Sequence, residues 1–353
     1  MRLGSSGRVS KVIARSPSGN DVIISPSEIV VAAGAIESTR LLLQLDADHG
    51  NRLFSSDDVI GRYFHDHLST EMAFIHPRNR RALNTVSGFW FEGHGMRSMR
   101  FELSSLARSR HRLPGSFAHI SFSTPYASGF DGLRGSMRAV QQGRFPSRLD
   151  LLLIVKHAPW FARALWCRLA HARVLPPDNA VYGLMAVTEQ KPLASNRISL
   201  SQQESDRFGI PLAQIDWRVS DEDVSNATRV ANLLGTFWKE GGLSHAGEID
   251  LKGAASWREQ LSVSEGIFHP GGTLRMASGP ASGVLDSRLR SFRVPNLRVV
   301  STAAFPSGGG GNPTLTLMLF ALRAVDDISN DLQRGRWRRR RWVDAISNLG
   351  MRW

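Results

Sequence analysis

With 353 residues, 42% hydrophobic and 21% charged, the chain has room for two ordinary domains and the composition of a folded protein. Cys167 is the only cysteine, which excludes an intramolecular disulfide and a site with several thiolate ligands, and is typical of a reducing compartment. The net charge of +13 favours an anionic partner, such as a membrane surface, a nucleic acid or an acidic substrate. The first twenty residues contain no apolar stretch of the kind found in a signal peptide. No apolar run approaches the ~18 residues of a membrane span, so we expect a cytoplasmic location.

The first elements predict one α/β unit. Residues 9–14 and 22–25 flank a turn-forming segment and are typical of a hairpin. An apolar strand at 29–33 then ends at Gly34, and a helix is predicted over 35–45. A hairpin that leads into a lone strand–helix unit indicates a domain whose beginning is missing.

The middle of the chain, residues 69–265, has the pattern of an α+β domain with an antiparallel sheet. Ser220 and Asp223 form a capping-box pattern at the start of one clear helix. We predict that the apolar face of this helix consists of Val224, Ala227, Ala231, Leu234 and Trp238. We predict strands at 117–124, 151–155, 180–188 and 197–200.

Two basic segments lie outside the predicted catalytic motifs. From Arg134 to Arg173 there are eight basic residues and one acidic residue, and residues 160–170 within this stretch form an amphipathic, basic pattern. A packed helix with a solvated face is the favoured interpretation, and a membrane-surface helix, giving a membrane-associated location, is the alternative. The second segment, 334–342, contains six arginines between and beside two tryptophans, and the stretch beyond Asn330 is predicted to be a basic tail or a terminal helix. A solvated tail is favoured over one that binds phosphates or lipid headgroups. No nucleic-acid-binding motif accompanies it, so no nucleic-acid partner is expected.

The strongest local signal is the segment 299–316, in which a strand leads into a glycine-rich loop and then a helix. Asn312 stands where an N-cap is wanted, and Pro313 suits the first helical turn. The free N–H groups of that helix would favour an anion or a developing negative charge. A structural loop followed by a well-capped helix explains the local pattern equally well.

Two further patterns contain histidine. His269 precedes Pro-Gly-Gly, where a turn histidine is the commoner case and a general base the functional one. His65, Asp66 and His67 are adjacent, and three adjacent residues rarely converge on one ion, so a structural turn is favoured over a metal site.

Taken in order, five segments resemble those of the glucose–methanol–choline (GMC) oxidoreductases over about residues 7 to 330. The resemblance rests on EIVVAAGAIESTRLLLQ, IGRYFHDHL, EQKPLASNRISLS, FHPGGTLRM and VPNLRVVSTAAFPSGGGGNPTLTLMLFALRAVDDI. It implies a flavoprotein that oxidises a small-molecule alcohol by hydride transfer to FAD.

By this resemblance, His269 is the catalytic base and Asn312 is the second active-site residue, which orients the alcohol oxygen. The amide of Thr314 would face the pyrimidine end of the flavin, while Ser301 and Thr302 would contact the central part of FAD through their backbone. The FAD-contacting residues are thus expected to be Ala33, Gly34, Ala35, Ser301, Thr302, Pro313 and Thr314, with no metal ligand among the site residues.

The chain departs from the family pattern at the pyrophosphate-binding fingerprint. Gly93-His-Gly95 lacks the third glycine, and the loop at Gly308 is in the wrong context. Ser301 also replaces the Asp or Gly that is frequent in the family. We therefore expect a chain that lacks roughly one to two hundred N-terminal residues, a domain-scale length, and that pairs with a separate FAD-binding chain or belongs to a larger enzyme. A non-catalytic remnant or binding subunit that does not hold FAD is the alternative.

The predicted architecture is an α/β FAD-binding domain without its N-terminal βαβ unit, joined to an α+β substrate domain. Its parts are a partial FAD-binding domain at 1–68, a substrate-binding domain at 69–265, an active-site block that returns to the FAD-binding domain at 266–330, and a basic tail at 331–353.

Overall fold

A computed structural model describes residues 1–54, 58–125, 127–262 and 269–348, with side chains up to residue 333 except that of residue 262. The chain divides into two compact units. The first unit contains Met1–His67, Glu189–Arg218 and the described part of Gly266–Trp353. The second contains the described parts of Leu68–Thr188 and Val219–Glu265.

The first unit is built around a pair of parallel strands. Its elements are β1 Arg2–Leu3, β2 Val9–Arg15, β3 Asp21–Ile24, β4 Ile29–Val31, α1 Gly34–Ala47, β11 Arg197–Ser205, β12 Pro211–Asp216, β14 Leu297–Val299 and α9 Thr314–Asn348. Strands β4 and β14 are parallel, with Ile29 opposite Leu297 and Val31 opposite Val299. Val31, Leu297 and Val299 lie in the buried core together with Leu42 and Leu45 of α1. The predicted hairpin is confirmed by the antiparallel pairing of β2 with β3.

Residues 189–218 belong to the first unit, which corrects the single middle domain predicted at 69–265. Arg40 of α1 donates hydrogen bonds to the Asp206 carboxylate at 2.7 Å and to the Pro211 carbonyl oxygen at 2.6 Å. The Ile198 N–H donates to the Gly61 carbonyl oxygen at 2.7 Å. These bonds join residues more than one hundred positions apart, and local periodicity gives no signal for such a pairing.

The second unit contains the predicted sheet. Its five strands lie in the order β13-β5-β10-β9-β8, and the pairs β13–β5, β9–β10 and β8–β9 are antiparallel. These strands are β5 His67–Pro77, β8 Phe101–Glu102, β9 Ser116–Ser123, β10 Val181–Glu189 and β13 Gly247–Leu251. Gly93 and His94 form the turn of a small hairpin between β6 Trp90–Glu92 and β7 Gly95–Arg97, so Gly95 is the first residue of β7. The substrate-binding role of this unit stays a prediction.

Helices complete the second unit. They are α2 Arg80–Ser87, α3 Ser105–His111, α4 Gly129–Gln141, α5 Arg148–Lys156, α6 Ala158–His171, α7 Asp221–Glu240 and α8 Ala254–Ser262. The predicted capping box of α7 is confirmed: the Ser220 hydroxyl accepts from the Asp223 N–H, and the Asp223 carboxylate accepts from the Ser220 N–H. Its five predicted apolar-face residues are all buried.

The strand predicted at 151–155 is wrong, because these residues lie in α5. Ser147 and Asp150 form a capping box that starts a helix at Arg148. A short apolar run fits a buried strand and a helix equally well, and the capping pair is the local signal that decides between them.

Of the segment predicted as a basic tail or a terminal helix, residues 331–348 continue the backbone of α9 and are helical. The side chains of its arginine- and tryptophan-rich stretch, 334–342, lie outside the described residues. Among the residues that the structure describes, no helix combines the length and the apolar character needed to span a bilayer.

Candidate active site

The predicted FAD-contacting residues of two separate segments meet at one edge of the parallel strand pair. Ala33, Gly34 and Ala35 follow β4, while Ser301 and Thr302 follow β14. The Val300 N–H donates to the Val31 carbonyl oxygen at 2.9 Å, which extends the pairing to the ends of both strands. Ligands of open α/β sheets bind at this carboxyl edge of parallel strands.

Gly34 forms the turn between β4 and α1. Its φ of +75° lies in the left-handed region, which glycine adopts at little cost. A Cβ atom built there would meet no heavy atom of a described residue within 4 Å, so those residues leave the space beside the backbone open. No side chain among the described residues caps the N-terminus of α1. A ligand can therefore approach the backbone closely at this turn.

Ser301 uses its side chain on the local backbone. Its hydroxyl accepts a hydrogen bond from the Ala303 N–H at 3.0 Å, and the residue is buried. A contact between Ser301 and a cofactor would therefore be made by its main chain, as the resemblance implies.

The segment that begins at His269 lies beside Thr302. The Thr302 hydroxyl donates to the Pro270 carbonyl oxygen at 2.6 Å. Two backbone bonds continue the contact, because the N–H groups of Leu274 and Met276 donate to the carbonyl oxygens of Ala303 and Ala304 at 2.9 and 2.8 Å. The fold thus brings His269 to the edge that carries Thr302.

Gly271 and Gly272 allow this segment to contact His65. The Gly271 N–H donates to the His65 carbonyl oxygen at 2.9 Å, and the His65 N–H donates to that of Gly271 at 3.2 Å. Gly272 has a φ of +87°. A Cβ atom on Gly272 would collide with the Tyr63 carbonyl oxygen and lie 2.5 Å from His65 Nδ1.

We expect Gly272→Ala to lower the free energy of unfolding by about 2–3 kcal/mol, because it combines a left-handed backbone with a steric clash. The matched control is Gly209→Ala, at a φ of +76° with no heavy atom within 4 Å of a Cβ. The free energy of unfolding of that control should fall by about 1–2 kcal/mol, because only the backbone conformation is unfavourable there. Urea unfolding of the two variants checks the difference, and equal losses would show that the close approach to His65 contributes nothing.

Asp66 and His67 form part of the site, and the sequence-based interpretation of a simple turn missed this. One carboxylate oxygen of Asp66 accepts from the backbone N–H of His269 at 2.6 Å and from that of His67 at 2.6 Å. The rings of His67 and His269 pack edge to face with centroids 4.8 Å apart. The adjacency of three titratable residues was the available signal, but only their long-range contacts reveal their role.

His67 also holds the glycine-rich loop. Its Nε2 lies 2.9 Å from the Gly309 carbonyl oxygen and therefore donates to it. On the other side of the loop, the Gly309 N–H donates to the Glu189 carboxylate at 2.9 Å. A Cβ atom on Gly308 would lie 3.4 Å from the His65 ring and 3.5 Å from the His67 ring, so the loop packs directly on both histidines.

Asn312 lies three residues beyond Gly309, which places it within about 11 Å of chain from the His67 contact. Helix α9 begins at Thr314, and the Pro313 carbonyl oxygen accepts from the Leu317 N–H at 2.9 Å. Asn312 thus precedes the cap position, which corrects its predicted role as the N-cap. Its side chain is exposed and makes no hydrogen bond to a described residue.

The electrostatics favour a neutral imidazole at His269. Burial lowers the pKa of His269, the neighbouring His67 lowers it further, and the Asp66 carboxylate acts in the opposite direction. Burial likewise lowers the pKa of His65. A histidine with a lowered pKa is deprotonated at neutral pH and can accept a proton.

No hydrogen bond to Nδ1 from a described residue fixes which ring nitrogen of His269 carries the proton, so a ligand can determine the tautomer. Its Nδ1 is buried and has no hydrogen-bond partner among the described residues. Within the part of the chain that the structure describes, no group of three His, Cys, Asp or Glu residues could hold a metal ion.

Comparison with known proteins identifies relatives over most of the chain. A sequence model of the GMC oxidoreductases matches residues 192–321. The fructose dehydrogenase large subunit of Gluconobacter japonicus is 25% identical over 340 residues, covering 95% of this chain and 53% of that protein. The 2-methyl-1,2-propanediol dehydrogenase of Mycolicibacterium austroafricanum is 22% identical over 311 residues, covering 87% of this chain and 48% of that protein.

The crystal structure of pyridoxine 4-oxidase from Mesorbium loti has a similar fold. Its TM-score is 0.54 at 16% identity, and the match covers 93% of this chain and 56% of that one. The chain spans about half the length of the proteins that it matches over most of its own length.

Proposed function

This chain belongs to the GMC oxidoreductase family, and we propose that it carries the proton-transfer half of an FAD-dependent active site that oxidises an alcohol. The observation that supports this proposal is the contact of His269 with His67, which in turn holds the glycine-rich loop that leads to Asn312. The same segment touches Thr302 at the carboxyl edge of β4 and β14.

The residues at this edge fit a flavin nucleotide. The open space beside Gly34 and the uncapped start of α1 suit the adenosine side, where Ala33 and Ala35 would also lie. Backbone groups of Ser301 and Thr302 would contact the central part of FAD. Pro313 and Thr314 would contact the pyrimidine end, where the first N–H groups of α9 favour negative charge.

When bound, FAD supplies a hydride acceptor. The chain's own contribution is proton transfer and orientation. The neutral ring of His269 accepts the hydroxyl proton of the alcohol, and Asp66 fixes the main chain of His269. The exposed Asn312 amide donates a hydrogen bond to the alcohol oxygen and orients it.

We further propose that the site needs a complementing nucleotide-binding unit, supplied by a partner chain or by an adjoining part of a longer protein. Helix α9 has an exposed apolar stripe at i, i+3, i+4, i+7 and i+10, consisting of Leu315, Met318, Leu319, Leu322 and Val325, which are 58–68% exposed. Val30 of β4 is also 44% exposed. Parallel strands are normally covered on both faces, and within the described residues this sheet consists of β4 and β14 alone.

The test is the visible spectrum of the purified chain, with FAD offered alone and together with a candidate nucleotide-binding unit. The expected result is a bound flavin spectrum that an alcohol bleaches in the absence of oxygen. The matched variants are Gly34→Ala and Gly209→Ala, which share a positive φ and open space around the added methyl group. Only Gly34→Ala should weaken FAD binding.

Absence of a flavin spectrum under every condition, with the chain still folded by circular dichroism, would contradict the proposal. That result would favour the alternative, a non-catalytic remnant or binding subunit that does not hold FAD. Equal FAD binding by Gly34→Ala and Gly209→Ala would contradict the assignment of the β4–α1 turn to the cofactor.

The acid limb of the pH profile of kcat/KM should lie below about 6.5, the ordinary pKa of histidine. Because the pKa of His269 is lowered, its neutral form persists to lower pH, and activity should fall only once the pH passes below that lowered value. In His67→Gln the limb should shift upward, since the neighbouring His67 lowers the pKa of His269. A limb that stays in place in this variant would contradict the coupling of the two rings.

We expect Asn312→Ala to lower kcat/KM about tenfold through the loss of one hydrogen bond to the alcohol oxygen. The free energy of unfolding should change by less than about 0.5 kcal/mol, since the side chain is exposed and bonds to no described residue. Asn79→Ala is the control, because the Asn79 side chain caps α2 through the Ala82 N–H at 3.0 Å. That control should lose about 1 kcal/mol of stability and keep its activity.

A further inference from the structure

A helical insertion interrupts the sheet of the second unit between two neighbouring strands. Strands β9 and β10 pair directly, with Ser123 opposite Val181, and a two-residue turn can join such strands. Here 57 residues, 124–180, connect them and form α4, α5 and α6. These residues are called the helical insertion below.

The three helices pack on one another through the face of α4 that carries Gly129 and Gly132, called the glycine face below. A Cβ atom on Gly132 would lie 2.9 Å from Leu153 Cβ, and one on Gly129 would lie 3.0 Å from the Trp160 ring. Leu153 is buried in α5 and Trp160 in α6. The packing of the insertion therefore uses this glycine face, and the opposite face of α4 is left free.

The free surfaces of the helical insertion are apolar. Of the 31 large apolar side chains that are exposed in the described part of the chain, 11 lie in these 57 residues. On α4 the exposed apolar residues Leu133, Met137 and Val140 share one face, with the spacing i, i+4 and i+7. Phe145, between α4 and α5, is 98% exposed. The eleven are Leu133, Met137, Val140, Phe145, Leu149, Leu151, Leu152, Val155, Leu165, Trp166 and Leu169. Exposed apolar patches of this kind mark interaction surfaces.

Helix α6 is packed through Trp160, as the favoured interpretation of 160–170 predicts, but part of its exposed face is apolar. Trp160 is buried, but Leu165 is 60%, Trp166 69% and Leu169 74% exposed. A purely soluble surface would place polar side chains at these positions.

The same surface carries an excess of positive charge. The helical insertion has eight Arg and Lys residues and three Asp residues. Asp131 and Asp150 cap α4 and α5, and Asp178 pairs with Arg163 at 2.6 Å. Of the eight cations, Arg134 and Arg163 pair with carboxylates, and Arg168 and Arg173 lie over the rings of Phe91 and Trp90. The remaining four have no carboxylate partner among the described residues, and they are Arg138, Arg144, Arg148 and Lys156.

We propose that the helical insertion docks on an anionic membrane surface. The exposed apolar side chains, led by Phe145 and Trp166, enter the boundary between headgroups and acyl chains, while the free cations contact lipid phosphates. Aliphatic side chains gain nothing from a nucleic acid, whose binding sites combine cations with stacking aromatic rings. Helices α4 to α6 have 13, 9 and 14 residues, which suits an orientation along the surface.

The test is co-sedimentation of the full chain with vesicles of phosphatidylcholine, with and without phosphatidylglycerol. Binding should require the anionic lipid and weaken as salt is raised. The double variant Phe145→Ser, Trp166→Ser should lower the vesicle affinity about tenfold or more. Its control is Leu106→Ser in α3, where Leu106 is 76% exposed and lies outside the insertion.

A second pair of variants tests the charges. Arg138→Gln with Arg148→Gln should weaken binding to anionic vesicles severalfold, whereas Arg108→Gln with Arg110→Gln in the exposed helix α3 should not. These surface variants should keep the circular dichroism spectrum of the parent chain.

Three results would overturn the proposal. The first is no binding to vesicles of either composition. The second is self-association of the parent chain that the Phe145→Ser, Trp166→Ser variant abolishes, which would assign the surface to a protein interface. The third is tight binding to duplex DNA, without vesicle binding, that the Arg138→Gln, Arg148→Gln variant removes.

Discussion

Replacement of His269 by alanine is expected to lower kcat of the FAD-loaded enzyme by about 10²–10⁴-fold, the range that a positioned general base contributes. The imidazole is the proposed acceptor of the hydroxyl proton, and its lowered pKa keeps it neutral at pH 7. Its backbone N–H bond to Asp66 does not depend on the side chain, so the local fold should persist. The rate of flavin reduction by an alcohol, measured by stopped-flow absorbance, checks this prediction.

The flavin spectrum of His269→Ala should match that of the parent enzyme, because the proposed FAD contacts lie on the backbone of other segments. His49→Ala is a suitable control, since His49 lies just beyond the C-terminus of α1 in the same unit and its Nδ1 is 2.8 Å from the Leu45 carbonyl oxygen. Flavin reduction at the parental rate in His269→Ala would remove His269 from the mechanism. Loss of FAD in that variant would instead indicate a structural role.

The segments that could be predicted from sequence are those with a local chemical signature. The Ser220–Asp223 capping pair and the strand–glycine–helix pattern at Gly34 each specify a conformation over a few residues, and the structure has both. The antiparallel hairpin near the start follows in the same way from its turn residues. In each case, neighbouring residues alone determine the backbone.

The assembly of the site could not be predicted in this way. His67 contacts Gly309 and Asp66 contacts His269, across more than two hundred residues in each case. Neither side chain carries a periodic or spacing signal that names its partner. The placement of residues 189–218 in the first unit could not be predicted either, since it depends on long-range hydrogen bonds to Arg40 and Gly61. The roles of His269 and Asn312 stay predictions that rest on the family resemblance of their motifs.

For residues 65–67 the sequence offers two interpretations, a metal site and a structural turn. Three adjacent side chains rarely bind one metal ion, so the sequence favours a structural turn at these positions. A turn alone, however, does not require a buried carboxylate, and Asp66 is only 2% exposed. A buried carboxylate needs hydrogen-bond donors, and here the backbone N–H groups of His67 and His269 supply them.

The Asp66 carboxylate therefore leads to the second large prediction. Asp66→Ala leaves the two N–H groups without this acceptor. Each unsatisfied group lowers the free energy of unfolding by about 1–3 kcal/mol. We expect the free energy of unfolding to fall by about 2–5 kcal/mol and kcat to fall about hundredfold, because a small displacement of His269 misplaces the base. Urea unfolding and the rate of flavin reduction measure the two effects.

Asp66→Asn separates the positioning of His269 from the charge of the carboxylate. The amide oxygen can still accept from both N–H groups, so most of the stability and turnover should return. The asparagine is neutral, whereas the Asp66 carboxylate raises the pKa of His269. The acid limb of kcat/KM should therefore move to lower pH in Asp66→Asn. If Asp66→Asn were as inactive as Asp66→Ala, with both N–H groups still bonded, the negative charge would be the essential feature. If the limb did not move, Asp66 would act on His269 through geometry alone.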